Sequence, residues 1–129
     1  MRVTDVMERA TALVVPEDNI QIAAQIMADT GSDAVLVGSS ERLIGVLTAR
    51  DVLIRVTARG LDPAMTPVRE IMTPAAEACS EQEMVEAVAL RMAERRVDAM
   101  PVIDAAGRPV GVVTLRTVET SRVPEPTGL

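Results

Sequence analysis

Phe, Trp and Tyr are all missing from the 129 residues. The core must therefore be aliphatic, built from Val, Ile, Leu, Ala and eight Met, and stacking of nucleic-acid bases on aromatic rings is excluded. Histidine is absent and cysteine occurs once, which removes the imidazole general base and any Cys/His zinc site. Lysine is absent as well, so all 13 cations are arginines, set against 19 acids. At a net charge of −6, with those arginines spread from end to end, the sequence lacks the clustered cations that counterion release at DNA or an anionic membrane requires. No catalytic residue and no metal ligand set is predicted: without His, Lys or Tyr only carboxylates remain, and no close pair of them has a convincing role.

Cys79 has no second cysteine to pair with, which suits a reducing compartment. It is either a reactive thiol or a small buried apolar side chain. No apolar run approaches the 18 residues of a membrane span, and charges interrupt the opening MRVTDVMERA every few residues, unlike a signal peptide. A soluble, cytoplasmic protein is expected. At 48% hydrophobic, a chain of this length can bury the core of one ordinary domain.

What is present is a repeat. Val6-Met7 aligns with Ile71-Met72, Asp33-Ala34 with Asp98-Ala99 and Val37 with Val102, always 65 positions on; from Gly45 the spacing becomes 66, so GVLTARD at 45–51 returns as GVVTLRT at 111–117. The extra residue falls where SSER faces DAAGR, in a turn, where insertions are tolerated. Halves of about sixty residues are marginal alone, so they are expected to bury their apolar faces against each other with pseudo-two-fold symmetry.

Each half switches period in the same order. Leu13-Val14-Val15 followed by Pro16 reads as a short strand. Ile20, Ala23, Ala24 and Met27 then fall at helical spacing, with Asp18 or Asn19 as cap and Gly31 as terminator. AVLV and LIGVL, separated by SSER, form a hairpin, and a second helix runs from about Ala49 towards Arg59. In the second half, Ser80 and Glu83 are expected to form a capping box, the hydroxyl taking the Glu83 amide and the carboxylate returning to Ser80. Met84, Val88, Arg91 and Met92 continue that helix, and AMPVI and PVGVV are the matching strands. Each half is thus β-α-β-β-α, an α+β fold. The expected boundaries are repeat 1 at 1–62, a linker at 63–67, repeat 2 at 68–123 and a flexible tail at 124–129.

These features resemble the CBS domains, named after cystathionine β-synthase, which occur in tandem pairs called Bateman modules. The resemblance rests on the paired starts VTDVM and VREIMTP, on VDAMPVID, and on a G-h-x-T-x-x-D signature met fully by GVLTARD. It implies binding of adenosine-containing ligands in clefts between the repeats.

At a strand-to-helix junction the free amides and the dipole favour an anion. The Thr48 hydroxyl can donate to a phosphate, and Asp51 offers two oxygens to the paired hydroxyls of a ribose. The competing account is a T-x-x-D capping box that needs no ligand; the resemblance favours the ligand. It also places base contacts on the other repeat, at Thr73, Ala76 or its neighbour, Val97 and Asp98. Val97 and Val46 can hold an adenine between aliphatic walls, or Val97 packs only in the core. Arg50 either compensates an anionic ligand or pairs with Glu41 or Asp51.

In the mirror copy, around Thr114, Arg116, Ala12 and Asp33, Thr117 replaces the acid, so a second and weaker site is expected. The expected function is a regulatory module that needs no cofactor, senses AMP, ADP, ATP or S-adenosylmethionine, and acts in trans on an unknown protein partner. It is expected as a homodimer without nucleic-acid or membrane contacts. The alternative is a ligand-free structural or dimerisation module.

Overall fold

The computed structural model describes residues 1–9, 13–74 and 77–122. Each half supplies the expected elements. The first runs β2 (Leu13–Val14), α1 (Ile20–Thr30), β3 (Ala34–Gly38), β4 (Leu43–Thr48) and α2 (Ala49–Val52), which continues as a π turn over Leu53–Thr57. The second runs β6 (Cys79–Ser80), α3 (Val85–Arg95), β7 (Ala99–Ile103), β8 (Pro109–Thr114) and α4 (Leu115–Arg122).

Two further strands complete the sheets by exchange. β1 (Glu8–Arg9), from the first half, pairs with β8, whereas β5 (Thr73–Pro74), from the second, pairs with β4. The sheets therefore run β1-β8-β7-β6 and β5-β4-β3-β2, the same order in pseudosymmetric form. The lead-in segments cross with their strands. Val3 is buried in the core formed by α3, β7 and β8, and Val68 and Ile71 are buried with α1, β3 and β4. Equivalent backbone bonds hold each segment: the Val3 N–H donates to Glu83 O at 2.8 Å, and the Val68 N–H donates to Asp18 O at 2.7 Å.

β3 is buried on both sides because it lies inside a four-layer stack. Val35 and Val37 face the helix layer, while Ala34 and Leu36 meet Val46, Ala99 and Val112 between the sheets. The repeated glycines at 45 and 111 follow from the exchange. A Cβ at Gly45 would stand 2.8 Å from Thr73 O, and one at Gly111 would stand 2.6 Å from Glu8 O, so only glycine lets the crossing strand approach.

Local chemistry differs from the sequence expectation in the second half. Asn19 caps α1 as foreseen, accepting from the Ile22 N–H at 2.9 Å. Only half of the Ser80–Glu83 box forms: the Ser80 N–H donates to Glu83 Oε2 at 2.8 Å, but the Ser80 hydroxyl accepts from Gln82 at 3.2 Å, and the Glu83 N–H goes to the Ser80 carbonyl. Ser80 ends β6 and Glu83 lies in the turn before α3, and Met84 is the exposed N-cap of that helix rather than part of its apolar face. The Glu83 carboxylate also pairs with Arg91, whose Nη2 donates to Oε2 at 3.1 Å. Cys79 is buried and donates to Pro101 O at 3.5 Å; burial pushes its thiol up to about 11, so it is an inert packing residue at neutral pH.

Candidate functional site

Thr48 ends β4 and caps α2. Its hydroxyl accepts from the Asp51 N–H at 3.0 Å, and Asp51 Oδ2 accepts from the Thr48 N–H at 3.0 Å, so the capping box exists. It does not consume either side chain. The Thr48 hydroxyl proton has no acceptor among the described residues, and Asp51 Oδ1 makes no hydrogen bond there, lying 4.0 Å from Arg55 Nε. A carboxylate has about four lone-pair positions, so Asp51 can cap and still accept from a ligand.

Val46, Thr48, Arg50 and Asp51 from the first repeat meet Thr73, Val97 and Asp98 from the second around one cleft of about 610 Å³. Exchange of β5 is what carries Thr73 there, beside Val46. Ala76 lies outside the described residues. Val97 packs partly against the α3 core and also lines the cleft, so it is not confined to the core. Arg50 has no ion-pair partner among the described residues, neither Glu41 nor Asp51; Asp51 is instead engaged by Arg55, one turn along the helix.

Sequence reasoning missed Arg55, Arg95 and Arg96, which also line the cleft. Arg96 was legible in the repeat: 65 positions earlier stands Gly31, and the two end their helices in the same left-handed turn, at φ 56° and φ 69°.

The mirror cleft, about 360 Å³, is built differently. Of the residues expected there it contains Arg116, whereas Thr114 and Asp33 line a separate cavity of about 310 Å³ between the two clefts. Ala12 lies outside the described residues. The Thr117 hydroxyl already donates its proton to Thr114 O and accepts from the Thr114 N–H, both at 2.9 Å, so it has no donor left for a ligand. Arg116 reaches across to Asp33 at 3.6 Å. Glu8 takes the place of Thr73 against β8, and the Ser32 hydroxyl donates to it, so an acid stands where the first cleft has a neutral wall.

The family model for the CBS domain matches residues 3–57 and again 68–120. The chain belongs to the CBS-domain family. Its pair of CBS repeats is similar to the CBS domain-containing protein YhcV of Bacillus subtilis, 34% identical over 113 residues, covering 88% of this chain and 79% of that protein. Relatives in Arabidopsis thaliana and Schizosaccharomyces pombe are much longer, and this chain spans only 17% and 15% of them.

Among solved structures, a CBS domain protein of Pyrobaculum aerophilum complexed with AMP superposes with a TM-score of 0.80 at 21% identity, covering 91% of this chain and 89% of that one. The CBS domain pair of protein MJ0100, in complex with 5-methylthioadenosine and S-adenosyl-L-methionine, gives a TM-score of 0.80 at 23% identity, with 94% of each chain covered. At those identities the likeness establishes the fold of a CBS pair.

Proposed function

We propose that this CBS pair is a regulatory module that binds one adenosine-containing ligand in the first cleft and relays its occupancy to a protein partner. One observation carries the reading: an acidic ribose acceptor, a hydroxyl donor and an unpaired arginine from one repeat face Thr73, Val97 and Asp98 of the other across a single cleft. Its volume of about 610 Å³ suits a nucleotide-sized ligand. Asp51 takes the ribose hydroxyls, Thr48 and Arg50 the phosphate, and Val46 and Val97 the faces of the base. The adenosine ligands named for the two structural neighbours support this class of ligand.

Thermal shift against AMP, ADP, ATP and S-adenosylmethionine tests it. A ligand at 100 times its dissociation constant stabilises by about 2.7 kcal/mol. No response to any of the four would overturn the reading in favour of a ligand-free interaction module.

The module is also proposed as a homodimer through the exposed Leu53 and Ile54 of the π turn and Leu115 of α4. Light scattering that returns the 13.7 kDa of one chain at micromolar concentration would refute the dimer.

A further inference from the structure

Ribose and base contacts are common to every adenosine ligand, so they do not choose among them. The charge around the first cleft does. Arg50, Arg55, Arg95 and Arg96 line it, against the carboxylates of Asp51 and Asp98. Two of these cations are already engaged. Arg95 pairs with Glu77 at 2.7 Å, and Arg55 lies beside Asp51 while donating to Ile71 O at 2.9 Å. Arg50 and Arg96 have no ion-pair partner among the described residues.

Arg96 is the more informative of the two. It is the single non-glycine residue with positive φ among the described residues, a conformation unfavourable for any side chain with a Cβ. The turn itself does not need arginine. Its cap is a backbone bond, the Arg96 N–H to Ala93 O, and Gly31 ends α1 in the same conformation. The arginine side chain makes no hydrogen bond among the described residues, and the mirror cleft has Thr30, Gly31 and Ser32 where this one has Arg95, Arg96 and Val97. A guanidinium kept at a conformational cost, lining the same cleft as a second unpaired guanidinium in a chain of net charge −6, marks a place for concentrated negative charge.

Resting on the adenosine reading above, we propose that Arg96, together with Arg50, makes the first cleft selective for adenosine ligands with more than one phosphate, ADP or ATP. It is a specificity-determining residue that discriminates against AMP and against the sulfonium cation of S-adenosylmethionine.

Calorimetry with adenosine, AMP, ADP, ATP, S-adenosylmethionine and, separately, inorganic tripolyphosphate tests this on the wild type, Arg96→Gly and Asp51→Asn. Glycine suits the left-handed turn, so Arg96→Gly keeps the fold. The expected result is tighter binding of ADP and ATP than of AMP, with S-adenosylmethionine weaker than all three. Arg96→Gly should lose about tenfold in ADP, ATP and tripolyphosphate affinity, as expected for a charge-assisted contact, and none for adenosine. ADP and ATP binding no tighter than AMP, or an equal loss for adenosine and ATP in Arg96→Gly, would overturn the inference alone. Adenosine affinity unchanged in Asp51→Asn, while tripolyphosphate binding still depends on Arg96, would overturn the adenosine reading and leave the polyanion site standing. Absence of binding by every compound, tripolyphosphate included, overturns both.

Discussion

Thr48 and Asp51 hold each other through two reciprocal hydrogen bonds of 3.0 Å, and Asp51 Oδ1 is left over. Capping and ligand binding are therefore separable by the choice of substitution. Asp51→Ala removes both and is expected to cost about 0.5–2 kcal/mol of stability as a lost cap. Asp51→Asn keeps an oxygen for the Thr48 N–H but loses the charge and one acceptor, so affinity for an adenosine ligand should fall at least tenfold, about 1.4 kcal/mol, with the melting temperature nearly unchanged. Asn and wild type binding alike by calorimetry would reject Asp51 as the ribose acceptor.

Restoring the acid in the second copy is not expected to restore a site. Thr117→Asp rebuilds the T-x-x-D turn, but Glu8 still occupies the opposite wall of a cleft of about 360 Å³. The single variant should keep one ligand per chain in native mass spectrometry, and Glu8→Thr with Thr117→Asp should begin to take up a second. Two ligands bound by Thr117→Asp alone would contradict the role given to Glu8.

Gly45 and Gly111 should not tolerate alanine. The new methyl meets backbone carbonyl oxygens at 2.8 Å and 2.6 Å, which side-chain rotation does not relieve. Gly111→Ala is expected to destabilise by about 1–3 kcal/mol through overpacking, with Gly45→Ala similar, measured by urea unfolding. A neutral result at both positions would show that the exchanged strands are not held as described.

Arg96→Gly should stabilise the free protein. Relief of the left-handed conformation is worth about 1–2 kcal/mol, and the added flexibility of glycine in the unfolded chain returns about 0.5–1 kcal/mol of it. A net gain of about 0.5–1 kcal/mol is expected in denaturant titration. Lower stability than wild type would mean that the arginine side chain holds the fold.

Acid should weaken the turn before α3. The hydrogen bond from Arg91 holds the Glu83 carboxyl below its ordinary range, and Arg91 Nε is buried without a hydrogen-bond partner among the described residues. A lowered folded-state pKa stabilises above the unfolded value of about 4.3 and stops doing so as pH falls through the folded value. Wild type should exceed Glu83→Gln in unfolding midpoint at neutral pH, and the two should converge in acid. Parallel curves down to low pH would exclude this pair as a source of the acid sensitivity.

Much of the architecture is legible because its signals are local. Helical spacing of Ile20, Ala23 and Met27, the Asn19 and Gly31 ends of α1, and the T-x-x-D turn of Thr48 and Asp51 are each set by residues a few positions apart. The capping expectation at Ser80–Glu83 was met only by the carboxylate: α3 starts at Val85 with Met84 as its N-cap, so the Ser80 hydroxyl does not stand at the helix end and accepts from Gln82 instead.

The sequence by itself determined an aliphatic core, two equivalent halves, and one acid-bearing turn against one acid-free turn, because composition and short-range spacing carry that information. Tertiary structure alone decided which half each lead-in strand completes, since main-chain pairing of β1 with β8 and β5 with β4 carries no side-chain code. It also decided where the charge goes. Arginines that look evenly scattered along the chain converge at 50, 55, 95 and 96 because the pseudo-two-fold axis brings the start of α2 against the end of α3. An electrostatic site depends on distance in space, with Coulomb attraction weakening as that distance grows and salt screening it over about 8–10 Å, and takes no account of separation along the chain.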